Sequence, residues 1–266
     1  MKKWAFLFTL ALAAAGAWAQ QVSDEAVAAA VEAYSAGQAD LQKGAVDAAI
    51  PKLEKAISLN PDMTIVHFDL GRAYTAKKNS AKAVGHFQTF LKRSGNDPNA
   101  APQAAMANRL VGLTLANERK YAEAVPYLKK AVEAKGTDID ARWSLAWSLI
   151  TLKDDAAAEE HLVKVMAQDP KRALAFFHAG RIANARKDEE NAKKRLQAFV
   201  ALTPTGPQAG LAYFWLGSIA GKGGDQAAAK TYFEKYLGTN PQPGPQVDGV
   251  KKYLESLQGQ AAAPPQ

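Results

Sequence analysis

One pattern recurs along the chain and restricts its fold more than any other feature: a Gly or Ala, an Ala twelve residues later, then a Leu or Phe four residues beyond. Units that begin at Ala30, Thr64, Ala105, Ile139, Ala173 and Gly210 are spaced by 34, 41, 34, 34 and 37 residues. The eighth position of each unit is then Gly37, Gly71, Gly112, Ala146, Gly180 and Gly217, and the twentieth is Ala49, Ala83, Ala124, Ala158, Ala192 and Ala229. The twenty-fourth is Leu53, Phe87, Leu128, Leu162, Leu196 and Phe233. Small residues at both the eighth and twentieth positions are what a close crossing of two helices requires. A period of this length describes supersecondary units that cannot bury their apolar faces alone and so stack on their neighbours.

The units read as helix pairs. Ala dominates the aliphatic residues, and β-branched residues never alternate for long with polar ones, which predicts an all-α protein. Pro61, Pro170, Pro204 and Pro241 stand at position 32, past the second helix of four units, where no helix need continue. Gly95 and Gly136 replace that Pro in units two and three and are expected to end their helices in a left-handed conformation. Pro51 and Pro126 share position 22 and are expected in the first turn of the second helix. With this register and these residues the chain resembles the tetratricopeptide-repeat (TPR) family. The resemblance implies a right-handed α-solenoid of six helix-turn-helix units, 30–63, 64–97, 105–138, 139–172, 173–206 and 210–243, covering roughly 30–241.

The longer spacings place insertions at Asn96 to Ala104 and around Thr203 to Pro207, both expected as junction loops. Residues 20–29 form a lead-in. Val250, Tyr253, Leu254 and Leu257 fall at helical spacing and predict a capping helix over 246–258, followed by a disordered tail at 259–266. At the other end, Lys2 and Lys3 precede an apolar run from Trp4 to Ala15, and Ala17-Trp18-Ala19 offers small residues for cleavage. This is the pattern of an export signal, 1–19, removed after Ala19; the apolar run is shorter than the roughly 20 residues a membrane span needs. The mature chain is therefore expected to be periplasmic or secreted, without stable membrane insertion.

Cysteine is absent, which excludes disulfides, thiolate metal sites and a Cys nucleophile. The formal charge falls from +7 to +5 once the leader, with Lys2 and Lys3 and no acid, is removed. That modest excess is spread along the chain and is not a nucleic-acid footprint. Four histidines are present, His67, His86, His161 and His178, and no two stand four apart as a helical zinc pair would; His67 is expected to be packed. No phosphate loop or nucleophile motif occurs. The expectation is a protein that is not an enzyme and has no metal and no cofactor.

The resemblance also implies a concave groove lined by positions 2, 5, 9 and 12 of each first helix. Position 5 reads Tyr34, Phe68, Arg109, Trp143, Phe177 and Phe214, and position 9 includes Gln38, Arg72, Trp147 and Arg181. Trp, Tyr and Arg are the residue types that dominate protein interfaces. The groove is expected to bind an extended or helical segment of another envelope protein, with apolar anchors on the aromatics and acidic groups on Arg72, Arg109 and Arg181. Glycan, peptidoglycan above all, is a second ligand class, because aromatic faces also stack on sugars; self-association through the open ends of the array is a third reading. The family's chaperone-binding members hold a carboxylate with Lys at position 5 and Asn at position 9 of their first repeat; Tyr34 and Gln38 stand there and do not repeat that clamp.

Overall fold

The computed structural model describes residues 23–261, and the leader 1–19 lies outside them. The described residues form thirteen α-helices and a short 3-10 turn, with no strand. They divide at Thr114/Leu115 into two compact units.

The first unit holds α1 (Asp24–Gln42) paired with α2 (Val46–Leu59), α3 (Thr64–Ala76) paired with α4 (Ser80–Ser94), the 3-10 turn Pro98–Ala100 and most of α5 (Ala101–Asn117). Ser23 caps α1 by accepting from the Ala26 N–H, so the lead-in is largely the start of the first helix. The 96–104 insertion is likewise mostly helical, as the turn and the beginning of α5. Leu53, Val66, Leu70, Phe87 and Phe90 are fully buried and form the core of this unit.

The second unit continues with α6 (Tyr121–Ala134), then α7 (Ile139–Thr151) with α8 (Asp155–Gln168), α9 (Ala173–Ala185) with α10 (Glu189–Leu202), α11 (Pro207–Lys222) with α12 (Gln226–Gly238), and α13 (Pro245–Ala261). Pro207 is the first residue of α11, so part of the second insertion is helical too. Helix α13 is longer at both ends than the 246–258 span expected: it includes Gly259 to Ala261, the first residues of the expected disordered tail, and the remaining tail residues lie outside the described range. Val247 and Val250 of α13 complete the buried cluster of the last repeat, with Tyr253 and Leu254 packed against it.

The repeat register has a direct structural cause. A Cβ on Gly71 would stand 2.6 Å from the Phe87 ring, and one on Gly217 2.7 Å from the Phe233 ring. Position 8 is therefore small because position 24 of the same repeat lies on it. The turn between paired helices repeats as well: position 15 has positive φ in all six units, as Gly44, Lys78, Arg119, Lys153, Lys187 and Gly224. The next residue begins the second helix, and Asn79, Asp154, Asp188 and Asp225 cap it there by accepting from the N–H three residues on.

Two local expectations are corrected. Pro51 and Pro126 are the sixth residues of α2 and α6, not in the first turn, so each removes one helical hydrogen bond. Gly95 does end α4 with φ 52°, but Gly136 has no positive φ. Its carbonyl instead accepts from Arg142 Nη2 at 2.6 Å and Gln168 Nε2 at 3.2 Å; an exposed carbonyl there serves as an acceptor for two helices.

Candidate protein-binding face

In the first unit Tyr34, Gln38 and Arg72 turn toward one carboxylate. Asp69 on α3 is buried, and its Oδ2 accepts from Tyr34 Oη at 3.0 Å and from Gln38 Nε2 at 3.4 Å. Its Oδ1 pairs with Arg72 Nη1 at 3.1 Å. Burial, reinforced by the Asp69 charge and hydrogen bond, pushes the Tyr34 phenol well above its usual range. Phe68 is buried in the core against Phe87 and Phe90, at centroid distances of 5.9 and 5.3 Å; it is not a groove residue. Arg109 sits half-buried on α5.

In the second unit the equivalent positions carry rings. Trp143 and Trp147 lie one turn apart on α7 with centroids 6.1 Å apart, and the His178 ring of α9 meets Trp147 edge-on at 5.2 Å and Trp143 at 6.5 Å. Arg172 covers Trp143, its guanidinium carbon 5.8 Å from the ring centre. Trp147 remains 37% exposed. Burial, then the nearby Arg181 charge, lowers the His178 pKa to about 4, and its buried Nδ1 has no hydrogen-bond partner. Arg181 grips Asp155 through Nη2 at 2.8 Å and Nη1 at 3.3 Å. Phe177 is buried between Phe199 and Trp215, so it too belongs to the core. Phe214 is half-buried and lines an apolar cavity of about 540 Å³ with Gly217, Phe233, Gly249, Val250 and Tyr253.

Family models described as tetratricopeptide repeat match residues 34–101 and 82–139, 115–176, and 211–243. Together they cover more than half of the chain. The chain belongs to the tetratricopeptide-repeat family. No curated protein sequence matches it. Among solved structures it is similar to YrrB, a TPR protein with an unusual peptide-binding site, at 22% identity and a TM-score of 0.55, over 68% of this chain and 89% of that one. It is similar to MamA at 20% identity and a TM-score of 0.51, over 66% and 91% of the two chains. A MamA fragment from Desulfovibrio magneticus RS-1 aligns at 20% identity and a TM-score of 0.50, over 68% and 96%. At these identities the likeness concerns the fold alone.

Within the TPR register a further set of residues emerges at position 2, which reads Val31, Ile65, Met106, Asp140, Leu174 and Leu211. Four of these are among the most exposed large apolar side chains, Val31 at 49%, Met106 at 47%, Leu174 at 42% and Leu211 at 40%. The sequence holds this signal in the same repeat register as the aromatics. A single aliphatic residue carries no interface signature of its own, whereas paired Trp residues do. Within the second unit, Leu174 and Leu211 leave apolar side chains in water at this position of two successive first helices.

Proposed function

We propose that this TPR chain is a non-catalytic adaptor of the cell envelope, and that the first helices of repeats four to six bind a segment of another protein. The observation that carries the reading is the half-exposed Trp143–Trp147–His178 cluster, with exposed Leu174 one turn before His178 and exposed Leu211 at the same register position of the next repeat. Large rings held in place by their neighbours offer contact area with little entropy left to lose, which is how interface hot spots work. The YrrB fold carries a peptide-binding site, which supports a peptide segment as the ligand. The basic leader, apolar run and small residues at Ala17 and Ala19 support export. Acidic recognition has a narrower base than the sequence suggested: Arg72 and Arg181 each hold an internal carboxylate, so apolar contact dominates the proposed interface.

The test is affinity capture from an envelope extract by the mature chain and by a Trp143→Ala, Trp147→Ala variant, with retained proteins and glycans identified by mass spectrometry. A protein held by the parent and weakened on the order of 100-fold in the folded variant supports the reading. Retention of wall glycan fragments in its place moves the ligand class to sugar, and equal capture by both chains refutes this face. N-terminal sequencing of the exported chain should begin at Gln20; a sequence beginning at Met1 contradicts cleavage.

A further inference from the structure

His67 on α3 and His86 on α4 belong to one repeat, and the fold brings their Nδ1 atoms to 3.1 Å. The ring centroids are 5.4 Å apart and the planes differ by 31°. Both nitrogens therefore lie close to the line joining the rings, with their lone-pair directions opposed head on. Tyr74 fixes the His86 ring: the two are stacked at 5.5 Å with planes 4° apart, and the Tyr74 hydroxyl donates to Glu54 at 2.7 Å. In the cation-free protein one Nδ1–H donates to the other Nδ1.

The same geometry selects one kind of cation. Among the described residues no group of three or more His, Cys, Asp or Glu is arranged to hold a metal, whereas zinc takes three or four protein donors and calcium more. Lys82 lies within electrostatic range of His86 and Arg93 within range of His67, against a single acid, Glu54, beside His86. A divalent ion meets twice the repulsion there that a monovalent one does. A monovalent d10 cation takes two donors in line, and imidazole nitrogen is an accepted ligand for copper.

We propose that His67 and His86 form a two-imidazole site for a monovalent d10 cation, copper(I) being its biological representative. The cation takes the place of the shared proton, which moves to Nε2 of the same ring, so that both imidazoles stay neutral and the complex gains a single positive charge. Two metal–nitrogen bonds of ~2 Å in line need the Nδ1 atoms roughly 4 Å apart, so the half-buried rings separate by less than about 1 Å. No thiol competes, because the chain has no cysteine.

Silver(I), which is redox-inert, is the probe. The full chain, labelled with 15N-histidine, is titrated with silver nitrate in chloride-free buffer at neutral pH. The expected result is saturation at one ion per chain, with the Nδ1 resonances of His67 and His86 moving together and those of His161 and His178 unmoved. His67→Gln and His86→Gln, checked for retained helicity, should each weaken binding by at least the ~10–100-fold that loss of a mere supporting residue costs. Absence of any imidazole shift, shifts confined to Nε2, full binding by either variant, or tighter binding of zinc(II) than of silver(I) overturns the proposal.

Discussion

Two pairs of repeats place different chemistry at the same four register positions. In repeats one and two these positions hold Tyr34, Gln38, Asp69 and Arg72; in repeats four and five they hold Trp143, Trp147, His178 and Arg181. The first set closes on itself: Tyr34 and Arg72 spend their polar groups on the buried Asp69 carboxylate, and Gln38 donates to Tyr34 Oη at 2.8 Å and more distantly to Asp69. The second set has three aromatic rings and no carboxylate, and its only charged member pairs sideways with Asp155. One TPR frame thus yields a self-satisfied face in one region and an apolar, half-exposed face in the other. The difference teaches that the register tells which residues share a face, and that the chemistry at position 6, Asp or His, decides whether that face is used up internally.

The shared frame should break equally in both regions. Gly71→Val and Gly180→Val drive a side chain into Phe87 and Leu196 respectively, and each should cost about 3 kcal/mol in denaturant unfolding. Unequal costs would mean that the two regions differ in their helix crossing and not only on their faces. The faces themselves should then respond differently. Asp69→Ala leaves Tyr34 and Arg72 without their acceptor, while Gln38 keeps its bond to Tyr34 Oη, and should cost about 2 kcal/mol. His178→Ala removes no hydrogen bond at Nδ1 and exposes a site that Trp143 and Trp147 can close over, for about 1 kcal/mol.

The pH responses should be opposite in sign. His178 has a folded pKa of about 4, below its unfolded value, so the unfolded state binds more protons between these values. Stability is full above about pH 6.5 and falls as pH drops toward 4; His178→Gln should remove that contribution, leaving the acid response of His67, also lowered to about 4 by burial beside His86. Tyr34 is raised in the folded state, so its contribution is full below about pH 10 and is lost as pH rises beyond it. Tyr34→Phe should flatten the alkaline limb of a pH–stability profile and leave the acid limb alone. The smallest effect concerns the turns, where the two regions agree: Lys78→Gly and Lys153→Gly relieve a left-handed residue and should each stabilise by about 0.5–1 kcal/mol, read as a shift in denaturation midpoint.

Much of the frame was legible in the residues. Small residues at positions 8 and 20 implied a close helix crossing, and Gly71 and Gly217 do meet the partner helix closely, against Phe87 and Phe233 of position 24. The face was legible only in part. The register puts the five aromatics and Arg109 of position 5 on one face, yet Phe68 and Phe177 turn into the core because Phe87, Phe90 and Phe199 on the second helices receive them. Repeat four has Leu162 and Val165 where repeat two has Phe87 and Phe90, and Trp143 finds its ring neighbours in Trp147 and His178 instead. A helix period assigns a side chain to a face; whether it lies flat on that face or tips inward depends on the volume opposite, which only the packed structure supplies. For the same reason the His67–His86 pair, nineteen residues apart on two helices, has no spacing that marks it in the sequence.

The most direct test of the account is site-specific photo-crosslinking with benzoylphenylalanine placed at position 2 in each region, replacing Leu174 in one chain and Ile65 in another, so that both four-residue sets stay intact. In envelope extract the Leu174-replaced chain should crosslink to a protein partner and the Ile65-replaced chain should not. Crosslinking from position 65 alone, equal crosslinking from both, or none from 174 would contradict the claim that the aromatic face of the later repeats is the binding surface.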